Sequence, residues 1–374
     1  MLQKVWGVWP SGCGLHRAPN IRFGNLLLFC VIYNSVPERA KGGTVLKAQE
    51  LREQMRKEII GQDRAIDAVV RAVMVADLGI CDPRRPLGTF LFLGPTGTGK
   101  SQIGRSLAKV LHGDENEVVA VNCTEFKNPH DVAKLVGAPP GYVGHEQPPF
   151  LTQEKLDRKL TIVIFEELEK ADRAFYDLLL QILERGELKT GRAVDLTFRN
   201  CFIMMTSNVC AKEVDDITKN AVIGFSPPSH KFEELDQDSA DAKIQTVCIG
   251  AVEDFFSPEF INRIDEIITF NRLKEEHLLA ILDKFLLDTR ARLAMAGVGT
   301  VISDPSKKFL IERGTNLRYG ARPLRRAVRE YLEYPLASMI AEKGLDPNEV
   351  IHVEVGDGKL EFHVGRLVKG AIIS

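Results

Sequence analysis

Residues 89–101 read Thr-Phe-Leu-Phe-Leu-Gly-Pro-Thr-Gly-Thr-Gly-Lys-Ser, and this stretch decides the fold. Thr89 to Leu93 is a short apolar run bounded by glycine, as expected of a buried parallel strand. Gly94, Pro95, Thr96, Gly97, Thr98, Gly99, Lys100 and Ser101 then match G-x-x-x-x-G-K-[ST] at every fixed position. Glycines in such a loop let backbone N–H groups turn inward around a β-phosphate. Lys100 brings positive charge to the β- and γ-phosphates, and Ser101 offers its hydroxyl to Mg²⁺. The next residues place Ile103, Leu107 and Val110 on one helical face, so the helix would aim its positive end at the anion. Strand, loop and helix in this order predict ATP binding with Mg²⁺; a chance glycine-rich turn would lack the two flanking elements.

Working outward, Val118–Val121, Thr161–Phe165 and Cys201–Thr206 are short apolar runs of the same kind, separated by helical stretches. That alternation predicts an α/β fold with a parallel sheet and helices on both faces. Upstream, Lys47–Lys57 and Asp63–Leu78 carry helical spacing, and Cys81–Gly88 is a proline-rich turn. Ser226–Asp241 is polar and reads as a loop or insertion. Past Phe270 the pattern changes: Glu275–Met295 and Arg322–Tyr334 read as amphipathic helices. Val350–Val355 and Lys359–Val364 alternate around Gly-Asp-Gly, a hairpin signal. The chain therefore divides into residues 1–45, a leader and linker; 46–271, a large α/β domain; and 272–374, a small, mainly helical domain ending in a hairpin.

Phosphate binding is not hydrolysis, which needs an acid to orient the metal and a group to position water. Thr161–Phe165 runs directly into Glu166-Glu167. We assign Glu166 to the metal and Glu167 to the water. The alternative is an acidic first turn of a helix, where glutamate is also favoured.

At this point the residues carry a resemblance. IIGQDRAI, FLFLGPTGTGKS, GAPPGYVG, IVIFEELEKA, TSN, SPEFINRIDEI and YGARPLRRA occur in order between Lys47 and about Val364. This part of the chain resembles the second ATPase module of the Clp/heat-shock disaggregase family of AAA+ ATPases. The resemblance implies a P-loop sheet followed by a small helical lid, in a homohexameric ring. Its ATPase cycle would draw unfolded or aggregated polypeptide through a central pore. It implies that Ile59 and Ile60 pack on adenine, and that Asn208 is a sensor orienting the attacking water. Arg263 resembles the arginine finger offered to the neighbouring subunit, and Arg322 a second sensor. Tyr142 and Val143 resemble the substrate-gripping pore loop. Ile223-Gly224-Phe225 resembles the tripeptide that docks a Clp-type peptidase ring.

Each role has a plainer counterpart in the residues themselves. Arg263 could form a surface ion pair, and Asn208 could cap a turn. Tyr142 could be an exposed gripping tip or fold back, and Ile223-Gly224-Phe225 could anchor on its own domain. Arg322, Arg325, Arg326 and Arg329 share a helical face; we direct Arg322 to nucleotide and the others to solvent or a neighbouring subunit.

The sequence also departs from the family. The usual Asp-Glu pair is Glu166-Glu167 here, and one extra methylene moves the carboxylate by about 1.5 Å, which could slow hydrolysis. A nucleotide-gated binding module with weak turnover is therefore an alternative. Gln147-Pro148-Pro149 replaces a glycine-rich stretch and should stiffen the pore loop. The resemblance covers one module, which implies a single ring.

Bulk properties set the remaining bounds. With 44% hydrophobic and 27% charged residues over 374 positions, the chain reads as an ordinary soluble globular protein. A net charge of −2 argues against nucleic acid, though a ring ATPase acting on DNA is a further alternative, and against an acidic membrane surface. The eight histidines lack metal-ligand spacing. The seven cysteines, dispersed and without a C-x-x-C pair, read as reduced thiols in a cytoplasmic compartment. Leu26–Tyr33 is apolar but shorter than the ~20 residues of a membrane span. The basic, acid-free stretch before Glu38 reads as a targeting peptide, a disordered leader or a docked strand.

Overall fold

The computed structural model describes residues 47–368 and 371–373, apart from 139, 142–144, 147, 192–193, 212, 215–236, 296, 315–319 and 344–348. Helix α1 (Ala48–Glu58) buries Leu51 and Met55, one turn apart. Helix α2 (Asp63–Asp77) buries Ile66, Val69, Val70 and Val73, the i, i+3, i+4, i+7 stripe of an amphipathic helix. Strand β1 (Gly88–Leu93) is buried throughout and feeds the loop 94–99 and helix α3 (Lys100–His112). After β2 (Val118–Asn122) and β3 (Thr161–Glu166) comes helix α4 (Arg173–Arg185). Asp172 caps its start by accepting from Ala174 N, and left-handed Gly186 ends it. The two-stranded ribbon β4 (Glu187–Lys189) and β5 (Asp195–Thr197) precedes β6 (Cys201–Thr206). Helix α5 (Gln237–Phe255) and β7 (Glu266–Thr269) complete this part.

The five-stranded sheet has the order β2-β3-β6-β1-β7, with every pairing parallel. Alternation along the strands feeds two cores. Leu91, Leu93, Val163, Phe165, Ile203 and Met205 pack with α4 and α5. Phe90, Phe92, Ile162, Ile164, Phe202 and Met204 pack with α1, α2 and α3. Burial on both faces is why these strands are continuous apolar runs. The α/β expectation, with a P-loop sheet covered on both sides, holds.

The remainder forms a third core. Helices α6 (Glu275–Met295), α7 (Asp304–Gly314), α8 (Arg322–Ala327) and α9 (Tyr334–Lys343) pack against a four-stranded sheet of order β11-β10-β9-β8. Its strands are β8 (Gly299–Ile302), β9 (Glu349–Gly356), β10 (Lys359–Val368) and β11 (Ala371–Ile373). The β9–β10 hairpin turns on Asp357 and Gly358, both at positive φ, as a two-residue hairpin turn requires. Both parts lie within one unit, Leu46–Ala76 with Ile80–Ser374.

Three readings need correction. The polar stretch taken as a loop to Asp241 is already helical from Gln237. The helix expected to stop at Tyr334 continues to Lys343 through a wide π-type turn over Val328–Glu333. Pro335 explains the widening, because it has no N–H and its ring would strike the carbonyl one turn back. Finally, Cys210 and Cys248, both fully buried, form a disulfide, so the thiols are not all free. Their 38-residue separation hid the pairing; Cys81, Cys123 and Cys201 are free.

Candidate functional site

The carboxyl ends of β1, β3, β6 and β7 lie along one sheet edge, where ligands of open α/β sheets bind. Leaving β1, Gly94 has φ +122, and a Cβ there would lie 2.8 Å from the Phe270 carbonyl oxygen. Only glycine lets the loop start so close to the end of β7. Gln62, buried behind the loop, ties the same elements together: its amide donates to Asn271 O (2.9 Å) and accepts from Asn271 N (3.1 Å).

The loop and the first turn of α3 line a cleft of about 840 Å³. Thr96 to Ser101 form one wall, with Glu166, Glu167, Thr206 and Asn208 from the ends of β3 and β6. Ile59 and Ile60 line it from the α1 end. Ile281, Lys284 and Phe285 of α6 and Arg322 and Arg325 of α8 close the other side. The C-terminal part is joined to the loop directly: Ala321 N donates to Gly97 O at 3.1 Å.

Lys100 is 8% exposed, and its ammonium donates to Gly94 O (2.6 Å), Pro95 O (2.7 Å) and Asn208 Oδ1 (2.9 Å). All three partners are neutral oxygens. Burial lowers its pKa to about 7, against the nearby charge of Glu169 and Glu167 and with that of Arg322. A buried cation whose hydrogen bonds all go to uncharged carbonyls, at a helix N-terminus and beside left-handed glycines, fits an anionic phosphate group.

Glu167 lies at φ +57, a left-handed conformation that is costly for a non-glycine residue. Its N–H donates to the Thr206 hydroxyl at 3.2 Å, which helps hold it there. Glu166 pairs with Arg105 of α3 at 3.7 Å. Asn208 donates to Glu169 Oε1 at 3.3 Å. The sequence-predicted residues of the loop, Ile59, Ile60, Glu166, Glu167, Asn208 and Arg322 thus converge. Arg263 does not: it pairs with Glu184 at 3.4 Å and lies outside the cleft lining. Tyr142, Val143 and Ile223-Gly224-Phe225 lie outside the described residues. Gln62, Thr206 and Glu169 were missed, and Arg325, directed above to solvent or a neighbouring subunit, instead lines the cleft beside Arg322. Only Arg325 carried a signal, three residues after Arg322 on the same helical face.

Residues 85–267 match the family model of an AAA domain (Cdc48 subfamily), and residues 273–353 match that of the C-terminal, D2-small domain of ClpB protein. The chain belongs to the Clp/Hsp104-type AAA+ ATPase family. It is 36% identical to the chaperone protein ClpB of Aquifex aeolicus over 87% of this chain and 31% of that protein. It is 37% identical to the negative regulator of genetic competence ClpC/MecB of Bacillus subtilis over 82% of this chain and 36% of that protein. Among solved structures, Hsp104 of S. cerevisiae in its extended casein complex superposes with a TM-score of 0.73 at 28% identity, covering 90% of this chain and 55% of that one. The closed Hsp104 reconstruction with ATPyS and FITC casein gives 0.71 at 29%, over 85% and 52%. The chain thus spans about a third of these curated Clp relatives and about half of the Hsp104 chains. As an AAA+ module it belongs to a nucleotide-binding family, and the cleft around Lys100 is where its chemistry supports a nucleotide.

Proposed function

We propose that this AAA+ module hydrolyses ATP and uses the cycle to unfold or disaggregate polypeptide. The observation that carries the reading is the convergence on one cleft of Lys100, Glu166, Glu167 and Asn208 from the parallel sheet with Arg322 from the C-terminal part. In this reading Gly94–Ser101 hold the phosphates, Ser101 and Glu166 hold Mg²⁺, and Ile59 and Ile60 pack on the base. Mg²⁺ would neutralise charge on the phosphates. Glu167 orients the attacking water with Asn208, and Arg322 links nucleotide state to the C-terminal part. Arg263, which lies outside the lining of its own cleft, suits a charge offered to a neighbouring subunit's site in a homohexamer. Tyr142 and Val143 would grip the polypeptide; Hsp104, which this fold matches, has been solved with casein. Ile223-Gly224-Phe225 would dock a ClpP-type peptidase if one is used, in keeping with the similarity to the ATP-dependent Clp protease ATP-binding subunit ClpC of Staphylococcus aureus. The division into domains 46–271 and 272–374 is supported by separate family matches ending at 267 and beginning at 273.

A cytoplasmic setting is supported by the free Cys81, Cys123 and Cys201. The Cys210–Cys248 pair is fully buried, which shields it from a reductant while the chain is folded. Among the described residues no helix is long and apolar enough to cross a membrane.

A nucleotide-gated module with weak turnover is the second reading. The Arg105–Glu166 pair favours it, because it draws the longer carboxylate towards α3. Steady-state phosphate release separates the two: wild type should exceed Glu167→Gln by about 100-fold or more, and equal slow rates would leave only the gated module. Unfolding of a tagged fluorescent protein tests the motor. Wild type should unfold it with ATP, and Tyr142→Ala should not; equal unfolding by both would remove the pore argument.

A further inference from the structure

Just past the two acids, Glu169 has no place in the scheme above, yet its carboxylate touches Asn208, which lines the cleft. Leu168–Lys170 is a single tight turn that follows left-handed Glu167. Three contacts pin it: Leu168 is fully buried, the Tyr176 hydroxyl donates to Leu168 O at 2.6 Å, and Lys170 N donates to Glu167 O at 2.9 Å. The turn sends the Glu169 side chain back beneath the end of β6, where Oε1 accepts from Asn208 Nδ2. Its other oxygen, Oε2, is buried without a hydrogen-bond partner. Burial raises the pKa values of Cys123 and Tyr176, and the nearby Glu169 charge adds to both. A buried carboxylate oxygen without a partner is costly, and such costs concentrate where a site needs a particular arrangement.

The amide of Asn208 is ambiguous, since either its oxygen or its nitrogen could face the phosphate loop. An ionised carboxylate only accepts hydrogen bonds and an ammonium only donates them, so Glu169 on one side and Lys100 on the other resolve the choice. With Nδ2 held by Glu169, Oδ1 faces the loop, where it takes Lys100 Nζ at 2.9 Å and lies 3.4 Å from Thr96 Oγ1. An acceptor turned that way can receive a hydrogen from water but cannot bind a phosphate oxygen. We infer that Glu169 is a positioning residue for hydrolysis: it fixes the Asn208 amide so that its oxygen, not its nitrogen, faces the phosphate-binding loop. The inference rests on the ATPase reading.

Glu169→Gln tests it, because glutamine keeps the shape and a hydrogen bond but no longer dictates its direction. The variant should bind a fluorescent ATP analogue within about 3-fold of wild type, while kcat for phosphate release falls roughly 10- to 100-fold. Its nucleotide-free Tm should stay within a few degrees of wild type, since glutamine keeps the side-chain shape and a hydrogen bond to Asn208 while the buried, unpartnered Oε2 loses its charge. In an Asn208→Ala background, Glu169→Gln should lower kcat no further, because Glu169 acts through Asn208. A wild-type kcat in Glu169→Gln would overturn the inference. So would a fall in Tm with a parallel loss of binding, or additive losses in the double variant, each of which marks a merely structural carboxylate. If wild type released no phosphate from ATP, the proposed activity and this inference would fall together.

Discussion

Replacing Gly320 by alanine tests whether the C-terminal part and the phosphate loop form one functional site. Gly320 sits at φ +58, and a Cβ there would lie 2.5 Å from Gly97 O, 2.7 Å from Gly97 C and 3.0 Å from Thr96 O. These are backbone atoms of the loop itself, with no flexible side chain to yield. The left-handed conformation costs a non-glycine residue about 1–2 kcal/mol. Relieving the clash pulls Ala321 N from Gly97 O, a further loss of about 1 kcal/mol. The sum, about 2–3 kcal/mol, is borne where α8 meets the loop, so nucleotide affinity should fall roughly 30- to 150-fold. Arg322 retreats with it, and kcat should fall as well. Equilibrium titration with a fluorescent ATP analogue reads the affinity, and thermal unfolding without nucleotide reads the fold. Retention of wild-type affinity within 2-fold would refute the coupling. Loss of the whole folded state in the nucleotide-free chain would refute the claim that the effect is local to the site.

Lys100→Met should remove nucleotide-dependent stabilisation: ATP at about 100 times its Kd should stabilise wild type by about 2.7 kcal/mol, and an equal shift in the variant would count against the phosphate site. Glu58 accepts from Lys109 at 2.7 Å and from Lys284 at 2.5 Å, joining α1, α3 and α6. Burial raises its pKa, but these two lysines outweigh it and hold the carboxyl below its ordinary 4.5. Because the folded pKa is depressed, the stabilisation is complete above about pH 4.5 and fades as the pH falls through the lower folded value. The Tm difference between wild type and Glu58→Gln should therefore shrink on acidification from pH 6, and a difference that grows would contradict the network. The Cys210–Cys248 link closes a 38-residue loop, worth up to about 4 kcal/mol in the unfolded chain. Reductant or Cys248→Ala should lower the urea midpoint, and an unmoved midpoint would show that the pair is not formed in solution.

What the amino-acid order determined alone was local. An apolar run bounded by glycine, then G-x-x-x-x-G-K-[ST], then a helical stripe specified strand, loop and helix, because glycine conformation and side-chain period act within a few residues. Asp357-Gly358 specified the hairpin for the same reason. Strand β7 escaped notice, since Ile267 and Ile268 between polar residues are too short a pattern until β1 supplies a partner. Tertiary structure alone decided which distant residues meet. Gln62 reaches Asn271 across 209 positions, Cys210 meets Cys248, and Thr206 supports Glu167. Glu169, in sequence an ordinary charge after two acids, becomes a half-buried partner of Asn208 only because a left-handed residue turns the chain back on the sheet edge. Periodicity and turn chemistry are written in neighbouring side chains, whereas convergence on a cleft depends on how two buried faces stack, which no short stretch carries by itself.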